Sequence, residues 1–154
     1  MEIIEYAHNY QSATQYFEKL VSRLSAKDLD KGESGEWTPR QVIHHMADSE
    51  AQSYARIRRL VAEPEGSVIQ GYDEGLWAQS HILGYTELPV ENSLAIFSSV
   101  RAGSLEIIKR LSLADLERFG QHTEAGKYTI AKWLQTYTNH PQDHGGQIEK
   151  VINN

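Results

Sequence analysis

The sequence predicts an all-α fold, a four-helix bundle in up-down-down-up order with a long crossover between the second and third helices. Three observations carry this expectation. Four long segments repeat apolar residues at alternating spacings of three and four, the period of one helical face. No segment shows a convincing period-two alternation of the strand kind. Four helices and their connections also use up the 154 residues, so one domain over 1–154 is expected.

The first helix is the clearest. Ile3, Tyr6, Tyr10, Ala13, Phe17, Leu20 and Leu24 fall on one face, and Gly32 and Gly35 then punctuate a turn. The second helix announces its start chemically. Thr38 is a natural N-cap, Pro39 sits at the first helical position where a missing N–H costs nothing, and Gln41 completes a capping box. Trp37 and Val42 are placed to form a hydrophobic staple across that cap. The helix is expected to run to about Ala62, before Pro64.

Segment 63–89 reads as irregular, with Pro64, Gly66, Gly71, Gly84 and Pro89, and has room for a short helix around Asp73–Ser80. The third helix spans roughly 90–111, with Val90, Leu94, Phe97, Ile108 and Leu111 on a face that Arg101 and Ser104 interrupt. Residues 112–128 read as a turn region. The fourth helix starts near Thr129 and runs to the end, with the stripe Ile130, Trp133, Tyr137, His140, His144, Ile148 and Val151. Pro141 lies inside it, removes a backbone donor and is expected to kink it.

Composition narrows the chemistry. Fifteen basic against 21 acidic residues give a net charge of -6, which argues against a nucleic-acid partner. No apolar run is long enough to span a membrane, and the opening MEIIEYAHNY is not a secretory leader, so a cytoplasmic protein is expected. There is no cysteine. Thiolate metal sites, iron–sulfur clusters and a Cys nucleophile are thereby excluded, and any metal chemistry must run on imidazole and carboxylate.

The histidines are therefore decisive. His140 and His144 are four apart and lie one turn apart on the apolar seam of the fourth helix. They are either hydrogen-bonded core imidazoles or a chelating pair. His45 in the second helix borders the core and is the natural third ligand of an open site, whereas His44 is expected to point outward. Asp48, one turn on from His45, is placed to orient a ring, act as a base or serve as a fourth ligand. If the second and fourth helices run antiparallel, the depths of His45 and the pair differ by about 6 Å, against about 10 Å if parallel. That favours the up-down-down-up order. His8, His81 and His122 read as surface or hydrogen-bonded residues.

The run W-T-x-x-Q-V-x-x-H-M-x-D, Trp37 to Asp48, resembles the second-helix signature of the DinB-like, YfiT-type superfamily of metalloenzymes. Gly71-Tyr72-Asp73-Glu74 with Trp77-Ala78 resembles the linker of its YfiT-like branch. The His122, Glu124, Gly126 stretch and the final His140-x-x-x-His144 with Gln147-Ile148 resemble its end. The resemblance covers nearly the whole chain in order. It implies a four-helix bundle, often dimeric, holding one divalent ion, zinc or nickel, on His45, His140 and His144. Relatives of this kind include bacillithiol S-transferases and mycothiol-dependent isomerases. Asp143 stands where that branch carries a further His.

The leading expectation is a metal-dependent thiol S-transferase that joins a low-molecular-weight thiol to an electrophilic small molecule. In it Asp48 or Asp143 serves as an acid, base or orienting group, and Arg101 holds a carboxylate of the cosubstrate. The alternatives are a metal-dependent hydrolase using a metal-bound water and a non-catalytic metal-binding bundle.

Overall fold

The computed structural model describes residues 1–154. Its helices are α1 (Ile3–Ser22), α2 (Pro39–Ala62), the short α3 (Glu74–Gln79), α4 (Glu91–Ile108) and α5 (Ile130–Ile152). The long third and fourth helices of the sequence reading are thus α4 and α5. The start of α2 follows the expected chemistry. Thr38 Oγ1 accepts from the Gln41 amide at 3.3 Å while Gln41 Oε1 accepts from the Thr38 amide at 2.9 Å. Asp73 caps α3 and Thr129 caps α5. Pro141 does not break α5, which is one continuous helix. No helix is long and apolar enough to cross a membrane.

Side-chain pairs fix the direction of each helix. Tyr10 meets Trp133 and Tyr16 meets Glu149, so α1 and α5 run parallel. His44 meets Ser93 and Glu50 meets Arg101, so α2 and α4 run parallel. His45 meets His140 and Ser53 meets Trp133, so α2 and α5 run antiparallel. Glu18 meets Ser98 and Thr14 meets Arg101, so α1 and α4 do too. This is up-down-down-up, with α1 and α2 on opposite corners.

Two apolar clusters fill the bundle. One gathers Tyr10, Ile57, Leu60, Ile108, Trp133 and Tyr137; the other gathers Phe17, Leu20, Val42, Met46, Phe97 and Ile148. On every long helix polar residues sit between the two clusters: Thr14, Glu50, Arg101 with Ser104, and His140 with His144. The core is therefore two apolar layers separated by a polar one, and the histidines belong to that middle layer.

The connections differ from the sequence reading. Both harbour strands: β1 (Val68–Ile69), β2 (Phe119–His122) and β3 (Gly126–Thr129). The β1–β2 pair is parallel, with Val68 opposite Gln121, and β2–β3 is an antiparallel hairpin. Gly120 permits this approach, because a Cβ there would meet Ile69 Cγ1 and the Ser67 carbonyl at 2.7 Å. The sheet ties the start of the crossover to the segment that leads into α5. Strands this short carry no alternation pattern, and β1 pairs with a distant segment, so periodicity could not reveal them.

Candidate metal centre

His45 lies on the buried face of α2, with Val42 one turn before it and Ser49 one turn after it buried as well. Its Nε2 lies 3.2 Å from His140 Nε2. His144, one turn on, offers its ring to the same point, and one nitrogen from each of the three rings falls within 4.8 Å of the others. The His144 ring is fixed through Nδ1, which lies 2.9 Å from Gln147 Oε1 and leaves Nε2 free. Trp37 closes one side, its ring 5.0 Å from His45 and 6.4 Å from His144. The expected staple residue thus packs against the imidazoles as well as the cluster that holds Val42.

The donor set fits a divalent ion. Two imidazole nitrogens bound at about 2.0–2.1 Å to one tetrahedral ion lie about 3.3 Å apart, and the observed 3.2 Å agrees with that. Ligating imidazoles must also be neutral. Burial pushes His45 down to about 3, with the neighbouring His144 charge acting the same way. Burial likewise pushes His140 down to about 2, helped by the charges of His144, His45 and Arg101. Three imidazole ligands carry no charge of their own when bound, so they would leave the charge of a dication uncompensated.

Glu74 stands at the open side. Its Oε2 is 3.7 Å from His45 Nε2 while its side chain remains 60% exposed. It is the first residue of α3, so the capping turn at Asp73 aims it at the centre. Around it the mouth is aromatic and acidic. Tyr72 packs on Trp77 with ring centroids 4.6 Å apart. The Tyr72 hydroxyl is pushed up to about 12, mainly by burial, with the Glu74 and Asp48 carboxylates adding to the effect.

The other expected site residues are placed differently. Asp48 does not orient an imidazole: its Oδ2 accepts from the Tyr85 hydroxyl at 2.5 Å, which puts it beside the mouth. Asp143 is exposed and outside the three-histidine group, since it is one residue, about 100° of helix, from His144. Arg101 cannot receive a cosubstrate carboxylate. Its guanidinium is fully buried, with Nη1 3.0 Å from Glu50 Oε1, Nε 2.8 Å from Thr14 Oγ1 and Nη2 3.0 Å from the Tyr10 carbonyl. His44 is buried rather than outward. Its Nδ1 is 2.7 Å from Ser93 Oγ and its Nε2 3.0 Å from the Leu88 carbonyl, so it pins the crossover to α2. His8 and His81 are exposed, and His122 Nδ1 accepts from the Glu124 and Ala125 amides.

Sequence reasoning missed Glu74 as part of the centre. Its signal was a pair of acids opening a short helix in the crossover, but only the fold brings that helix over α2. Gln147 was missed too, although its i+3 spacing from His144 is a signal a helix makes available.

Comparison with known proteins gives a consistent result. The family model described as DinB superfamily matches residues 9–148. A protein of Oceanobacillus iheyensis, named as a candidate metal-dependent hydrolase, is 34% identical over 150 residues, covering 97% of this chain and 85% of that one. One from Bacillus cereus with the same kind of name is 34% identical over 134 residues, covering 86% of this chain and 75% of its own. Among solved structures, YfiT from Bacillus subtilis superposes with a TM-score of 0.87 at 24% identity, over 98% of this chain and 86% of that one. It is described as a probable metal-dependent hydrolase with an unusual four-helix bundle topology.

Proposed function

The chain belongs to the DinB superfamily, and from that premise we propose that it is a metal-dependent enzyme that activates a small nucleophile against a small-molecule substrate. The observation that carries this is the convergence of three imidazoles beside an exposed carboxylate, with one side left open. His45, His140 and His144 would hold the ion, zinc or nickel. When bound, it supplies a Lewis acid that makes a proton on a nucleophile easier to remove.

The protein's own residues then have distinct tasks. Glu74, exposed and next to the His45 nitrogen, accepts the nucleophile's proton. Gln147 holds the His144 tautomer. Trp37 shields the imidazoles on one side. Tyr72, Trp77 and the Tyr85–Asp48 pair line the approach and select the substrate.

The nucleophile in the first reading is an external low-molecular-weight thiol. The chain has no cysteine of its own, and a three-imidazole dication favours an anionic sulfur ligand. In the second reading it is water, which makes the protein a hydrolase. Glu74 favours that reading, because water has much the higher pKa and needs a base more than a thiol does. One experiment separates them: turnover of a panel of electrophiles and esters by zinc- or nickel-loaded protein, with and without added thiol. Turnover only with thiol supports the transferase; turnover without it supports the hydrolase. No metal-dependent turnover of either kind overturns the enzyme reading. A homodimer belongs to the same proposal, and sedimentation of the purified protein checks it.

A further inference from the structure

Pro141 sits between two of the three candidate ligands. It has no N–H, so the carbonyl four residues earlier, that of Tyr137, loses the amide that a helix would normally give it. A carbonyl left unpaired in a bundle core is costly, and the turn that owns it is free to splay. Here the carbonyl is not unpaired. Arg101 Nη1 reaches across from α4 and donates to it at 2.5 Å. The turn so held runs from Tyr137 to Pro141 and carries His140.

We infer that Arg101 is a positioning residue: it replaces the amide that Pro141 lacks and thereby holds the turn of α5 that presents His140. Three features make the guanidinium suited to this. Glu50 at 3.0 Å neutralises it in a place where neither side chain is exposed. The Tyr10 carbonyl and the Thr14 hydroxyl each accept a further donor, so α1, α2 and α5 are all referred to one rigid plane. The Tyr10 ring lies under it at 3.6 Å and fixes its height. The apparent interruption of the α4 apolar face and the apparent defect in α5 are thus two halves of one device. It sets where His140 Nε2 stands relative to His45 on the facing helix.

The link to metal binding rests on the three-histidine ligand set proposed above; the backbone role does not. The test is a cycle of Arg101→Lys, Pro141→Ala and the double variant, which keeps a positive charge beside Glu50. Zinc affinity is read by chelator competition, and stability of the chelator-treated protein by urea unfolding. Cobalt(II) absorption spectra report ligand geometry. Arg101→Lys should weaken zinc about 10-fold or more, as loss of supporting contacts to metal ligands does, and should alter the cobalt spectrum. Pro141→Ala alone should change affinity by no more than about 3-fold. In the double variant the restored amide serves the Tyr137 carbonyl, so most of the affinity and the native spectrum should return. A double variant as weak as Arg101→Lys, with effects that simply add, overturns the inference. Coupling in urea with no zinc bound by any variant instead overturns the ligand set and leaves the backbone role standing.

If Arg101→Lys does not fold, Pro141→Ala alone decides. The Arg101 Nη proton resonance should move upfield as the Tyr137 carbonyl gains a second donor, and an unmoved resonance overturns the inference.

Discussion

Glu74 and the imidazoles of His45 and His140 make separate predictions. Glu74→Gln keeps size and polarity but cannot accept a proton. Removing a positioned base typically costs 10²–10⁴-fold in rate, so turnover should fall by at least about 100-fold while metal content stays the same. Equal loss of metal and turnover would make Glu74 a ligand instead. His45 and His140 predict the pH dependence of the metal-free protein. Their folded values, about 3 and about 2, lie below the unfolded value of about 6.5. Between those limits the unfolded chain binds protons that the folded one refuses, so stability is complete above about pH 6.5 and is lost as pH falls toward 3. At pH 5 the loss is about 2 kcal/mol per imidazole. Urea unfolding of chelator-treated protein at pH 7 and pH 5 measures it, and His140→Gln should shrink the difference. The residues of this centre were unequally legible. His140 and His144 declare themselves by spacing on an apolar stripe. His45 needed the second helix placed, whereas Glu74 lies on a short helix whose docking only the tertiary structure sets.

At the scale of elements, α2 and α5 could be read almost to their ends, because caps are local chemistry. Thr38 with Gln41 and Thr129 with Lys132 involve residues three apart. The three strands could not, since none exceeds four residues and β1 finds its partner more than 50 residues away. Helix α5 also contains a contrast that sequence alone hides. Gly145 and Gly146 are adjacent, yet a Cβ at Gly145 would run into the Tyr16 ring of α1, while one at Gly146 would meet nothing within 4 Å. Alanine gains about 1 kcal/mol over glycine in a helix. Gly146→Ala should therefore raise the melting temperature. Gly145→Ala should lower it, because displacing the Tyr16 ring and its 3.1 Å bond to Glu149 costs more than the propensity gained, about 1–3 kcal/mol for overpacking. Shifts of the same sign at both positions would contradict the close α1–α5 approach.

For the whole molecule, the up-down-down-up order decides what a bound ion does to stability. The order was legible because residues 63–89 are too many for a tight antiparallel turn and enough to carry the chain back parallel. Its consequence is that α2 and α5 meet antiparallel, which sets His45 against His140 although 95 residues separate them. An ion held there closes a loop over most of the chain and joins two helices that are not consecutive. It also binds the folded chain far better than the unfolded one, in which the ligands are scattered. Stabilisation then follows the logarithm of ion concentration over Kd, about 4 kcal/mol at a thousandfold excess. For a domain of this size that is a rise in melting temperature of roughly 8–16 °C. Titrating zinc or nickel into chelator-treated protein should produce that rise, while His140→Ala should melt at a temperature that the ion does not move. An equal rise in both proteins would place the ion elsewhere, and no rise in either would remove the metal from the whole account.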